Sequence, residues 1–458
     1  MIRKLYLLPL LLITMYSCTG NDDSEYENIN LEERVDAGGE TTIYSTTTNA
    51  YSSPAPNLTG AEYDNHFEGD LLFEATFVTA PATVNPGLGS IYNNSACINC
   101  HPRDGRAKHP TDVNSANGLL VRASIFGTDE HGGPVAVPGF GLQIQNRAIS
   151  GYAPEAAYTV SYTTQTETFA DGTTVVLRKP TIALSNPYTS LPGGVMLSTR
   201  LGTPIFGLGL LEEIPETNIL AQQDLSDADG DGISGKANYV WNPFTLRTEL
   251  GRFGWKANTA SIIVQCASAY VEDMGITNPI FTLETGHGQT NGGIPGLEPE
   301  VTMETLEKIA LYCKTLGVPA ARNTDKPSVK RGARLFEQLE CAKCHTPKQV
   351  TGNSSIIALR NQTFYPYTDL LVHDMGEGLA DNRPDFMATG TEWKTRPLWG
   401  IGLTNLVNGH TDFLHDGRAK NVEEAILWHG GEAEKSKTKY KNLNATQRSE
   451  LLEFINSL

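Results

Sequence analysis

The stretch SACINCHPRD, residues 95 to 104, sets Cys97 and Cys100 three positions apart with His101 directly behind the second cysteine. ECAKCHTP repeats the arrangement at Cys341, Cys344 and His345. The chain of 458 residues has only seven cysteines, and four of them fall in these two strings. Two thiols at i and i+3 followed at once by an imidazole match the attachment site of a c-type haem. The thiols add to the porphyrin vinyl groups and the histidine takes the proximal position on iron. The competing readings are a redox or disulfide pair with an adjacent histidine, or half of a zinc site. A zinc site needs four converging ligands, and no second pair lies near either string. The residues therefore predict two covalently bound c-type haems.

Such groups are attached outside the cytoplasmic membrane, and the N-terminus agrees with that. MIRKLYLLPLLLITMYSC has basic Arg3 and Lys4, an apolar run from Leu5 to Met15, and small Ser17 before Cys18. The run is too short to span a bilayer and reads as a signal segment. It resembles a bacterial lipoprotein signal in which Cys18 becomes the lipidated first residue of the mature chain, with ordinary secretion as the alternative. The expected location is exported and anchored to the outer membrane. The following TGNDDSEYENINLEE is polar and acidic, so residues 18–59 read as a flexible tether. A net charge of -17 argues against nucleic acid as a partner and favours a basic protein among electron donors.

The composition predicts a mainly α fold: two cytochrome c-like haem domains with a β-hairpin insertion in the first. Residues 1–17 form the signal, 60–316 an N-terminal haem domain, and 326–458 a C-terminal cytochrome c domain. LGVPAARNTDKPSVK, between them, has two prolines and no apolar period and reads as a linker. SVKRGARLFEQLECAKCH puts Ala333 and Phe336 at helical spacing before the second haem string. NATQRSELLEFINSL opens with a capping box at Asn444 and Gln447 and continues with Leu451, Leu452, Ile455 and Leu458 on one face. AYTVSYTTQTETFADGTTVVLRKPTIAL is rich in Thr, Val and Tyr, and Asp171-Gly172 supplies a hairpin turn.

DADGDGISGKAN is a second metal signal. Asp227, Asp229 and Asp231 alternate, Gly232 permits a sharp turn, and Ile233 offers its carbonyl. The twelfth position is Asn238 where a complete EF-hand loop has glutamate. The expected ion is Ca2+; the alternative is a solvated turn. Cys266 shares a helical face with Ile263 and Tyr270, and Cys313 shares one with Leu306, Ile309 and Leu316. In an oxidising compartment these two predict a disulfide between helices, against a pair of buried thiols.

The ligand opposite each iron decides whether a haem only moves electrons or also binds a substrate. Eight histidines lie outside the two strings. In NVEEAILWHGGEA, Asn421 caps a helix, Glu424 follows three positions later, and Gly430 and Gly431 end it, leaving His429 in its last turn.

The segments GLGSIYNNSACINCHPRDGR, FGLQIQNRAISGYAPE, GRFGWKA, EWKTRPLWGIGL and FLHDGRAKNVEEAILWHGGEAE resemble the di-haem oxidoreductase family. The likeness runs from about residue 60 to the end. The C-terminal half is also similar to bacterial di-haem cytochrome c peroxidases. The resemblance implies that His429 lies opposite His345 on the second haem, with Met375 and His415 as further candidates and His415 alternatively supporting a propionate. It implies that the haem on His101 is the reactive one, with Gln145 and Glu155 on its distal side as catalytic groups, although Ile149 stands where the peroxidase pattern has proline. Trp255 is implied as a relay between the haems, or else as a core tryptophan.

Three functions compete on this reading. The first is a redox enzyme of peroxidase type, passing electrons from a six-coordinate C-terminal haem to a reactive N-terminal one. It takes hydrogen peroxide as oxidant and a partner protein or small molecule as donor. The second is a pure electron carrier. The third is an accessory of a metal-uptake system.

Overall fold

The computed structural model describes residues 29–110, 118–292 and 299–458. The signal segment and Cys18 lie outside the described residues. Among the described residues no helix is long and apolar enough to cross a membrane.

Six helices and six strands carry the architecture. In chain order they are β1 (Thr42–Ile43), α1 (Ala61–Glu74), β2 (Leu119–Thr128), β3 (Ala157–Thr168), β4 (Thr174–Ser185), β5 (Met196–Leu201), α2 (Ile262–Met274), α3 (Met303–Thr315), β6 (Val318–Pro319), α4 (Pro327–Gln338), α5 (Val422–Trp428) and α6 (Ala445–Ser457). The expectation of a mainly α chain is overturned: of the described residues 29% are helix and 20% strand. The strands form seven small sheets among the described residues, most of them pairs two to four residues long. Segments so short have no readable alternation, so composition could reveal only the long hairpin.

The helices follow their local signals. Thr302 caps α3 by accepting from the Thr305 amide. Gly275 ends α2 in the left-handed conformation at φ 67°, which a Cβ would disfavour. The apolar stripe of α2 is turned slightly from the expected one: Ile262, Ala267, Tyr270 and Met274 are buried, and Cys266 is half-buried. α4 begins on Pro327, which needs no amide partner in a first turn. Its run toward the second haem string breaks at Glu340, at φ 66°, and resumes as a tight turn at Cys341–Lys343. Asn444 and Gln447 form the capping box of α6 as expected, with both reciprocal hydrogen bonds present. α4 and α6 cross closely at Gly332, where a Cβ would stand 2.0 Å from the Glu450 carbonyl oxygen.

β3 and β4 form the anticipated hairpin, paired from Ala157 with Ser185 to Thr168 with Thr174. Its tip docks on the C-terminal half. Phe169 and Leu177 join a buried cluster with Tyr440 and Phe454, the Ala170 amide donates to the Lys441 carbonyl (3.0 Å), and Arg448 pairs with Asp171 (2.7 Å). β2 and β5 pair antiparallel, and the Leu201 amide at the end of β5 donates to the His415 carbonyl at 2.7 Å.

From residue 29 onward, the stretch expected to be a tether is folded. Leu31 and Tyr51 are buried in two different cores, and β1 pairs parallel with β6. The stretch expected to be a linker is equally buried at Leu316, Val318, Ala320 and Ala321. One apolar cluster draws residues from Ala37 to Val407 and another from Leu31 to Leu458. The two halves are therefore interleaved. Their few apolar residues sit singly among polar ones, so no periodicity marked them.

Gly332→Ala is expected to destabilise the protein by about 1–3 kcal/mol, because the added methyl overpacks the α4–α6 crossing. Denaturant unfolding of the variant beside the parent chain measures it.

Candidate functional site

The first haem string forms one helical turn over Cys97–Cys100, and the His101 amide donates to the Cys97 carbonyl at 3.0 Å. The second string makes the same bond: the His345 amide donates to the Cys341 carbonyl at 3.0 Å. Each turn brings two thiols and an imidazole to one side of the backbone. Nδ1 of His101 lies 2.7 Å from the Thr203 carbonyl oxygen, and Nδ1 of His345 lies 3.0 Å from that of Tyr367. A carbonyl only accepts, so Nδ1 must carry the proton and Nε2 keeps the lone pair that binds a metal. Gly202 lets the Thr203 segment approach, since a Cβ there would stand 2.5 Å from the Cys100 carbonyl oxygen.

His429 is held in the same way. It follows α5, which Asn421 caps by accepting from the Glu424 amide, and its Nδ1 lies 2.7 Å from the Ala425 carbonyl oxygen. Burial lowers the pKa of all three histidines; for His345 it falls to about 4, with His429 adding to the effect of burial. Neutral imidazoles with a free Nε2 are the form that ligates iron. Burial also raises the thiols, Cys100 and Cys341 to about 12, and Cys97 and Cys344 upward.

Both strings open on one cavity of about 460 Å³, lined also by His429, Met375, His415 and Trp255. The donor set suits two c-type haems: two pairs of thiols, a proximal imidazole beside each, and a third imidazole near His345. Trp255 donates its Nε1–H to the Leu201 carbonyl at 2.8 Å. His415 stacks on Trp393 with ring centres 3.9 Å apart, and burial lowers its pKa to about 3.

Glu155 and Gln145 are brought together, but behind the cavity wall. The Gln145 amide donates to Glu155 Oε2 (2.6 Å), the Glu155 amide returns a bond to the Gln145 carbonyl (2.8 Å), and Gln289 Nε2 donates to Glu155 Oε1 (2.9 Å). These bonds hold the Glu155 carboxyl on the Gln145 main chain, the Gln145 side chain turns to the Glu272 carbonyl instead, and neither side chain lines the cavity. The carboxyl that does line it beside Cys97 and Cys100 is Asp273, in the last turn of α2. Gln143 Nε2 donates to Asp273 Oδ1 at 2.7 Å, and Gln143 and Gln145 both donate to the Glu272 carbonyl (3.1 and 2.7 Å). Burial pushes Asp273 up to about 7 and Glu155 up to about 8. No motif marks Asp273 in the sequence; only the packing of α2 against the first string does.

His373 is a second residue that sequence reasoning passed over. It lies between Asp369 (2.8 Å) and Glu432 (2.7 Å), 3.5 Å from Cys344 Sγ. Burial is the largest single influence and opposes its charge, but Asp369 and Cys344 together outweigh burial and raise its pKa.

The expected calcium ligands are only partly gathered. Asp227 and Asp229 converge with Asp224, which was not anticipated. Lys343 of the second haem string pairs with Asp229 (3.1 Å) and Asp231 (2.9 Å). The Ile233 amide donates to Asp231 Oδ1 at 2.7 Å. Asn238 is buried elsewhere and does not take the twelfth-ligand place: its Nδ2 donates to the carbonyls of Lys256 and Asp385, and its Oδ1 accepts from the Met387 amide. Cys266 and Cys313 meet as expected for partners but stand as free thiols, with the hydrogen bond to Cys266 raising the Cys313 pKa. Both line the cavity.

A family model described as "Di-haem oxidoreductase, putative peroxidase" matches residues 32–458. No curated protein and no solved structure matches the chain.

Glu155 keeps its proton in the folded chain up to about pH 8 and loses it near its ordinary 4.5 when unfolded, so stability falls as pH rises between those values. Glu155→Gln is expected to remove the Glu155 share of that fall and leave the share of Asp273, gaining on the order of 2–4 kcal/mol relative to the parent chain at the alkaline end. Urea unfolding of both proteins at about pH 5 and about pH 8.5 checks the sign and the size.

Proposed function

Because the chain belongs to the di-haem oxidoreductase family, we propose that it is an exported redox enzyme of peroxidase type, with a bis-histidine centre at His345 and His429 and a reactive centre at His101. The observation that carries this reading is an asymmetry of donors around one cavity. His345 and His429 lie close together, each with Nδ1 tied to a main-chain carbonyl. At the first string His101 is the imidazole fixed this way, and a carboxyl, Asp273, stands on the wall.

Two c-type haems supply one-electron storage at an iron with two protein ligands and a position for peroxide at an iron with one. Cys97, Cys100, Cys341 and Cys344 attach them. His345 and His429 would hold one iron, and His101 would hold the other. Asp273 keeps a proton near neutral pH on the wall beside the first string, as a general acid and base requires. Gln143 and Gln145 tie it through the Glu272 carbonyl to Glu155, a second proton-holding carboxyl. Trp255, on the wall of the shared cavity, is the bridging aromatic group. The chain's net charge of -17 suits a basic electron donor. Lipidation at Cys18 would hold the enzyme at the outer membrane. The Asp227–Asp229 loop, with Asp224, would take Ca2+ in place of its tie to Lys343.

A pure electron carrier is the second reading. It is favoured by Met375 and His415, two further side chains on the cavity wall able to meet an iron.

Electron paramagnetic resonance on the holoprotein separates the two. One low-spin and one high-spin signal are expected, and His429→Ala is expected to convert the low-spin signal to high-spin. Two low-spin signals in both the oxidised and the half-reduced protein would overturn the enzyme reading.

A further inference from the structure

Two guanidinium groups in the cavity have no ion-pair partner among the described residues. Arg106 follows the first haem string, and Arg396 belongs to the TRPLWG segment of the C-terminal half. Both line the cavity, and Nη1 of Arg106 and Nε of Arg396 are buried without a partner. Among the described residues neither side chain makes a hydrogen bond or an ion pair. Their guanidinium carbons stand 5.7 and 5.0 Å from the centre of the Trp255 ring, so one indole serves both cations.

Elsewhere the arginines drawn into the structure are answered by acids or, at Arg252 and Arg322, by main-chain carbonyls. Arg200 pairs with Asp381 (3.0 Å), Arg383 with Asp385 (3.0 Å), Arg418 with Asp416 (2.7 Å), and Arg122 with Glu272. Arginine keeps its charge in proteins, and a buried charge left unpaired is strongly unfavourable. Arg106 and Arg396 also repel one another: burial pulls Arg396 down to about 9, and Arg106 adds to the fall. Contact with an indole offsets only part of this cost. Asp412, whose charge reaches Arg106, is already paired with Arg178 (3.0 Å), so two neighbouring cations in a mostly apolar cavity require two anions that the described residues do not supply. Planar carboxylates match the guanidinium fork.

We propose that Arg106 and Arg396 form a paired carboxylate clamp, Arg106 taking a propionate of the haem on His101 and Arg396 a propionate of the haem on His345, with Trp255 held between the two pairs. The proposal rests on the two-haem reading above. It makes the arginines positioning residues, which set where the two prosthetic groups face each other. It also gives them an electrostatic role. A guanidinium that neutralises a propionate favours the ferrous iron, and its removal favours the ferric.

The test uses holoprotein whose two attached haems are confirmed by mass, carrying Arg106→Ala, Arg396→Ala, or Lys at either position. Potentials are titrated spectroelectrochemically, with each centre followed through its own paramagnetic signal. Arg106→Ala is expected to shift the ferric/ferrous equilibrium of the His101 centre about tenfold toward ferric, which is about 59 mV for one electron. The His345 centre should move less than about twofold. Arg396→Ala should do the reverse, and lysine should restore most of each shift. Where an alanine variant does not load haem, Arg→Gln at that position is read in the same way. Unchanged potentials in di-haem variants overturn the clamp, as do equal shifts at both centres in each variant. If the unsubstituted protein carries no attached haem, the two-haem reading itself fails.

Discussion

Three imidazole N–H groups donate to three main-chain carbonyls, those of Thr203, Tyr367 and Ala425, and the rest of the site depends on those bonds. Each bond decides which nitrogen keeps a lone pair and which way the ring faces. None of the three acceptors can be moved without moving an element of the fold. Thr203 follows β5, which is held by β2; Ala425 sits inside α5; and Tyr367 has a positive φ in a loop packed against α4. Much of the scaffold can be read as the means of holding these carbonyls still.

The interleaving of the two halves serves the same end. A cavity shared by two haem strings can keep its shape only if the halves that carry them cannot separate. The chain joins them at several places: the β3–β4 hairpin tip on α6, residues 29–59 across both cores, and Lys343 on the acidic loop. An interface assembled from many dispersed contacts resists hinge motion better than one joined at a single linker.

Charge is distributed with comparable economy. Most of the buried ions beside the cavity are paired within the chain, and Asp273 and Glu155 avoid the cost of ionisation by holding protons. The thiols and the three tethered histidines stay neutral through burial. The cavity thus carries little uncompensated charge apart from Arg106 and Arg396, which is why those two stand out.

What could be read from the chain alone was whatever depends on neighbours in sequence. The two haem strings, the capping box of α6, the caps of α5 and the hairpin of β3 and β4 are local, and their residue types and spacing carry them. The short helix that ends at His429 was legible because Asn421 caps it and two glycines follow. The balance of helix and strand was not, because most strands are too short to show a period. Nor was the folding of residues 29–59, whose few apolar side chains find partners hundreds of positions away. Asp273 replaced Glu155 on the cavity wall because only the packing of α2 against the first string determines which carboxyl faces inward. The pairing of Arg106 with Arg396 over Trp255 has the same origin. Motifs and local turns are written in adjacent residues, whereas burial, and with it every shifted pKa, exists only once distant segments have closed around the same space.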